Sequence, residues 1–206
     1  MNALEHCFIY GIVDLGYVKP DAVTEITKKL VRGGIDLLQL RAKDRPLDEV
    51  RSLAQLMVSI TQPAGVPFII NDYPQLLAEV PAEGCHLGQQ DGSIAEARQL
   101  AGRRVMVGRS THSIEQAVAA QQEGADYIGY GPLFSTPTKP EAAAIGLTSL
   151  RKLHAQVQIP IFCIGGIKEA NLRKVTEAGG ERVCLVSDLL TAPDPYAKVR
   201  AIKADL

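Results

Sequence analysis

The sequence predicts a (β/α)8 barrel, an α/β fold of the TIM-barrel type, on three observations. Short β-branched runs alternate with stretches of helical period, the pattern of βα units around a parallel sheet. About eight such units follow one another, the number at which a parallel sheet closes on itself. The tetrapeptides GGID, EGAD and AGGE each stand between a helix end and the next strand, where a glycine can take the left-handed conformation that terminates a helix. No linker, low-complexity segment or composition shift divides the chain, so residues 1–206 read as one barrel domain. That length is at the short end of the fold's range of about 200 to over 400 residues.

The strands are placed at FIYGIVD, IDLLQLR, PFIIN, GCHLG, RVMVGR, YIGYG, PIFCIGG and RVCLVS, each a run of apolar and β-branched residues bounded by turn formers. Between them, helical spacing predicts helices near Asp21 to Arg32, Leu47 to Ile60, Pro74 to Val80, Ile94 to Ala101, Ser113 to Glu123, Thr148 to Val157 and Glu169 to Ala178. A last helix falls near Asp194 to Lys203. An open doubly wound sheet is the competing architecture, but it calls for a glycine-rich loop after the first strand. Here that loop reads DLGYVKP.

Hydrophobic residues make up 46% of the chain and charged residues 22%, a balance that excludes disorder. A formal net charge of -1 argues against nucleic acid or an anionic membrane as the main partner. Cys7, Cys85, Cys163 and Cys184 lie scattered in strand-like runs without CxxC spacing, which speaks against a disulfide framework or zinc site and for a reducing, cytoplasmic setting. The N-terminus has no basic region ahead of its short apolar run, and no run approaches the roughly twenty apolar residues of a membrane helix. Nothing in the sequence fixes oligomeric state, and a homo-oligomer stays open.

In a barrel of this kind the chemistry belongs at the C-terminal strand ends. Those ends carry Gln39, Arg41 and Lys43 after the second strand, Asn71 and Asp72 after the third, and His86, Gln89 and Asp91 after the fourth. Ser110, Thr111 and His112 follow the fifth, and the loop GPLFSTPTK follows the sixth. Alternation along QLRAK points Gln39, Arg41 and Lys43 the same way, into the barrel mouth. A long cation there needs an acidic neighbour or an anionic ligand, and an ion pair with Asp72 or Asp91 is one answer. The two aspartates on adjacent strands could share a hard cation such as Mg²⁺, although Asp72 also directly precedes a helical stretch and could be only its cap.

IPIFCIGGI offers two glycines where backbone must come close to a ligand or turn sharply, and Ser187 with DLL adds an amide-and-hydroxyl edge suited to an anion. His112 stands beside a serine and a threonine, which suits a helix-capping hydrogen bond, with acid or base chemistry as the alternative. No Ser/His/Asp arrangement points to covalent catalysis. The rim thus has a cationic side fit for a di- or polyphosphate and a glycine-rich side fit for a monophosphate. Together they suggest a transferase joining a diphosphate ester to a phosphorylated acceptor.

QLRAK, the IND of PFIIND, HLGQQD, the STH of GRSTH, GPLFSTPTK, Gly146, IGGI and VS resemble the ordered motifs of the thiamine phosphate synthase family. They span Gln39 to Ser187. The resemblance implies Mg²⁺-dependent condensation of hydroxymethylpyrimidine diphosphate with a thiazole phosphate, giving thiamine phosphate and diphosphate. It assigns Gln39, Arg41, Lys43, Asn71, Ser110 and Lys139 to the pyrimidine diphosphate, with Arg41, Lys43, Lys139 and Ser110 serving catalysis. It gives Mg²⁺ to Asp72 and Asp91, and the thiazole phosphate to Thr136, Thr138, Gly166, Val186 and Ser187. Two departures are Ser135, where the family commonly has proline, and the strand entry at Glu181 and Arg182. Rival readings are a thiazole tautomerase on a similar barrel, using His112 or a neighbour, and a non-catalytic sensor of phosphorylated thiazole or thiamine.

Overall fold

A computed structural model describes residues 4–138 and 142–206. Eight parallel strands close into a barrel in chain order. They are β1 (Ile9–Asp14), β2 (Leu37–Arg41), β3 (Phe68–Asn71), β4 (Gly84–Leu87), β5 (Met106–Thr111), β6 (Tyr127–Tyr130), β7 (Ile161–Cys163) and β8 (Arg182–Leu185). Pairing of Ile9 with Val183, Tyr10 with Cys184 and Gly11 with Leu185 joins β8 back to β1 and removes every free edge. The (β/α)8 expectation therefore holds, and each predicted strand is present.

The helices are α1 (Val23–Gly33), α2 (Leu47–Thr61), α3 (Ile94–Ala101), α4 (Ile114–Gln122), α5 (Leu150–Gln156), α6 (Glu169–Glu177), α7 (Ser187–Leu190) and α8 (Pro195–Ala204). Gly34, Gly124 and Gly179 have φ of 92°, 87° and 100°, so the glycine of each repeated tetrapeptide does end its helix in the left-handed region. Ser93 caps α3 through a reciprocal pair with Glu96, and the Ser113 hydroxyl accepts from the Gln116 amide to start α4.

Two differences from expectation have local causes. The helix predicted over Pro74 to Val80 is a 3-10 segment, Pro74–Ala78. Proline at its start and the short span between β3 and β4 leave room for little more than one turn, so the β3–β4 crossover tucks Leu76 and Leu77 inward instead of laying down an α-helix. The other difference is α7, one turn that starts directly at Ser187 and precedes α8.

Burial divides the apolar residues into two layers. Between sheet and helices pack Leu30, Leu38, Met57, Phe68, Val107 and Val199, among others. Inside the barrel, Tyr10, Tyr127 and Phe162 meet edge to face with ring centroids 5.9, 5.2 and 5.7 Å apart, and Leu4 and Cys7 join them from the segment before β1. These rings form a floor beneath the C-terminal mouth. Phe162→Ala should lower unfolding free energy by about 3–5 kcal/mol in urea melts, the usual cost of truncating a buried aromatic. Leu100→Ala, at a side chain 51% exposed, should stay within about 0.5 kcal/mol of the parent.

Candidate active site

The barrel mouth opens into a cleft whose empty space, the open entrance included, is about 810 Å³. Gln39, Arg41, Asn71 and Ser110 line one side. Gly166, Val186 and Ser187 line the other, and Thr136 and Thr138 from the β6–α5 loop stand between them. Parallel strands that share one direction present all their C-terminal ends at this mouth, so residues far apart in sequence meet there. Lys139 lies outside the described residues.

Strand β2 grades from depth to rim. Gln39 is buried, Arg41 is half-buried, and Lys43, past the last paired residue, is exposed. The partner of Arg41 is neither Asp72 nor Asp91. Its Nη1 donates to Asp14 Oδ2 at 2.6 Å, from the residue that lies opposite it in the β1–β2 register. Asp14 is 2% exposed, and its other oxygen accepts from the Gly16 amide at 2.9 Å. Breaking such a pair strands a buried charge, so Asp14 holds the guanidinium at the mouth and leaves its remaining N–H groups for a ligand. FIYGIVD contains this aspartate at the strand end, where the signal was present.

Asp72 and Asp91 come together beside that cation. Asp72 has φ of 65°, in the left-handed region that aspartate tolerates better than most side chains, and its amide bonds the His86 carbonyl. Burial, then the neighbouring Asp91 carboxylate, push Asp72 up to about 6, against the pull of Lys43 and Arg41. Asp91 Oδ2 accepts from the Gly88 amide at 2.6 Å, while the buried Arg109 guanidinium ties its loop down through the Gly88 and Gly92 carbonyls at 2.7 and 2.9 Å. Among the described residues no three His, Cys, Asp or Glu side chains gather into a metal cluster. Two crowded carboxylates nevertheless fit Mg²⁺, which takes one or two protein carboxylates and completes its shell with water and substrate phosphate.

The glycine pair after β7 is needed by a neighbouring loop. A Cβ on Gly165, at φ of 96°, would stand 2.3 Å from the Pro132 Cα, and one on Gly166, at φ of 64°, would stand 2.6 Å from the Ser135 carbonyl oxygen. The loop is fastened here by Leu133 N–H to the Ile164 carbonyl at 2.8 Å and by Phe134 N–H to the Gly165 carbonyl at 3.0 Å. Farther along, the Tyr17 and Thr138 hydroxyls lie 3.0 Å apart, and Thr138 N–H bonds Thr136 Oγ1 at 3.3 Å. Tyr17, from the β1–α1 loop, was not singled out by sequence, since a tyrosine in DLGYVKP carries no periodic signal.

His112 does not cap α4 with its ring, because Ser113 does so. Its ring Nδ1 bonds the Gly131 carbonyl, which can only accept, so a proton sits on Nδ1. The His112 amide bonds Gln116 Oε1 at 2.8 Å. Ser110 is held on two sides: His86 Nε2 is 3.0 Å from its hydroxyl, and Gln89 Nε2 donates to its carbonyl at 2.5 Å.

A closed parallel barrel with its polar groups gathered at one mouth, cationic on one side and glycine-lined on the other, defines an enzyme class that acts on phosphorylated small molecules. Comparison narrows the class. The profile of the thiamine monophosphate synthase family matches residues 9–189. A thiamine-phosphate synthase of Pelotomaculum thermopropionicum is 38% identical over 205 residues, 99% of this chain and 94% of that relative. One from Thermus thermophilus is 43% identical over 188 residues, 90% of each. Among solved structures, thiamine phosphate pyrophosphorylase from Pyrococcus furiosus superposes with a TM-score of 0.88 at 30% identity, covering 98% of this chain and 95% of that one. The chain belongs to the thiamine monophosphate synthase family, and its activity is that of a transferase making thiamine phosphate.

The raised Asp72 value has a consequence for stability without metal. Near and below its unfolded value of 3.8 Asp72 is protonated in both states, whereas above about 6 it is ionised in both and the folded protein bears the cost of the crowded charge. Asp72→Asn should therefore raise the melting temperature of metal-free protein at pH 7.5, with the gain shrinking steadily toward pH 4. Added Mg²⁺ should stabilise the parent and leave the variant unmoved.

Proposed function

We propose that this site joins hydroxymethylpyrimidine diphosphate to a thiazole phosphate in an Mg²⁺-dependent condensation. The carrying observation is the division of the cleft, with Gln39, Arg41, Asn71 and Ser110 facing Gly166, Val186 and Ser187 across one loop. On this reading the first group, with Lys43 and Lys139, holds the pyrimidine diphosphate. The second group, with Thr136 and Thr138, holds the thiazole phosphate.

Asp72 and Asp91 would hold Mg²⁺, which when bound supplies positive charge against the diphosphate oxygens. Arg41, fixed by Asp14, is preorganised against charge that builds on the departing diphosphate, and Lys43 and Lys139 would bring further donors to the same oxygens. The bond between the pyrimidine methylene and the diphosphate oxygen breaks with its electron pair going to oxygen. The aminopyrimidine ring spreads the resulting positive charge, and the thiazole nitrogen donates its lone pair to the methylene carbon. No proton must be removed from that nitrogen, so the residues act by position and charge and a general base is not required. A carboxylated thiazole would lose carbon dioxide in the same overall conversion. Four buried cysteines without CxxC spacing suit a cytoplasmic setting for this chemistry.

The test is diphosphate release from purified protein given both substrates, with Mg²⁺ or with excess chelator. Release should need both substrates and the metal; release that persists in chelator would remove Asp72 and Asp91 from the proposed role. Asp91→Ala and Lys139→Ala should each cut kcat by about 100-fold or more, the scale of a lost transition-state contact, with far-ultraviolet circular dichroism unchanged. Near-parental turnover in either would overturn the charge-stabilised ionisation.

A further inference from the structure

Beneath the cleft a line of polar groups crosses the barrel from β2 to β5. Gln39 Nε2 donates to the Tyr10 hydroxyl, and the Tyr10 and Tyr127 hydroxyls are 3.1 Å apart. The Tyr127 hydroxyl is 3.2 Å from His86 Nδ1, and His86 Nε2 is 3.0 Å from Ser110 Oγ. Tyr10, Tyr127, Gln39 and His86 are all buried. Gly108 makes the crossing feasible, because a Cβ there would stand 2.2 Å from Tyr127 Cζ and 2.5 Å from His86 Nδ1.

The line has a direction. An amide nitrogen only donates, so Tyr10 accepts from Gln39. Tyr10 must then place its own buried proton, and among the described residues its other hydrogen-bond partner is the Tyr127 oxygen. Having accepted, Tyr127 gives its proton to His86 Nδ1. A neutral imidazole with Nδ1 accepting carries its proton on Nε2, and that proton goes to Ser110 Oγ. Burial pushes both phenols well above 10, so neither gives its proton up to solvent.

We propose that His86 is a positioning residue whose Nε2–H sets the Ser110 hydroxyl to donate into the cleft, toward an anionic oxygen of the pyrimidine diphosphate. The identity of that oxygen rests on the substrate assignment made above; the direction of the chain does not. Tyr10, Tyr127 and Gly108 thereby act on Ser110 without touching substrate. Gln39, at the other end, spends one of its two N–H donors on Tyr10 and keeps the second N–H and its carbonyl oxygen.

The direction is read by nuclear magnetic resonance on the full chain labelled with ¹⁵N-histidine, the His86 ring being identified by its loss in His86→Gln. A protonated Nε2 and an unprotonated Nδ1 are expected. A proton on Nδ1, or on both nitrogens, at neutral pH would overturn the proposal. Kinetics gives the second reading. His86→Gln keeps an N–H near the position of Nε2 and should leave KM for the pyrimidine diphosphate within about threefold, whereas His86→Leu should raise it about tenfold, one charge-assisted hydrogen bond's worth. KM for the thiazole phosphate should hold in both. Equal KM values in the two variants, or parallel changes for both substrates, would also overturn it. Should the parent protein release no diphosphate while His86 shows the expected protonation, the assigned reaction and the partner of Ser110 fall and the direction of the chain stands.

Discussion

The close passage of the β6–α5 loop across Gly165 and Gly166 governs how the rest of the mouth is arranged. Two residues without side chains, both with positive φ, let Pro132 and Ser135 come within distances that any Cβ would forbid. The loop is thereby stitched to the end of β7 by two backbone hydrogen bonds and reaches Tyr17 of the β1–α1 loop at its far side. Thr136 and Thr138 are held between the two halves of the cleft as a result. A loop free to stand away from β7 would leave the cationic side and the glycine-lined side as two separate half-sites.

Charge is arranged around that framework with unequal compensation. Asp14 satisfies Arg41 at 2.6 Å from a buried position, so this cation is rigid and its charge is partly offset. Asp72 and Asp91 have the opposite problem, two acids close enough to raise one of them. The mouth therefore holds one pair whose charges are met within the protein and one whose charges call for something from outside. Crowded like charges at a strand end are a common sign of a functional site, because folding alone gains nothing from them.

Fold and site were legible in the sequence to different depths. Strand number, barrel closure and the helix-ending glycines follow from periodicity and from residues that only one backbone conformation explains. The rim residues Gln39, Arg41, Asn71, Ser110, Gly166 and Ser187 could be placed because strand ends in a parallel barrel share one face. Partners were harder to read. Asp14 sits at the end of its own strand like many barrel aspartates, and only the β1–β2 register puts it opposite Arg41. Apolar spacing predicts a helix where Pro74–Ala78 forms a 3-10 segment, because over so few residues it cannot tell one turn type from another. Tyr10 and Tyr127 stand in strand-like apolar runs that carry no sign of a polar contact; that Tyr127 reaches His86 depends on Gly108, a residue whose role is the space it leaves.

The backbone at Asp72 restricts what can occupy that position in another way. With φ at 65°, the site admits glycine, asparagine or aspartate with ease and resists longer or branched side chains. Of the three, aspartate alone brings a negative charge. Glutamate would keep the charge but meet an unfavourable backbone and carry its carboxylate one methylene farther from the main chain. Divergence among descendants of this chain is thus channelled at residue 72: drift can neutralise the position through asparagine or empty it through glycine, and the conservative-looking exchange of one acid for another is the path the main chain discourages.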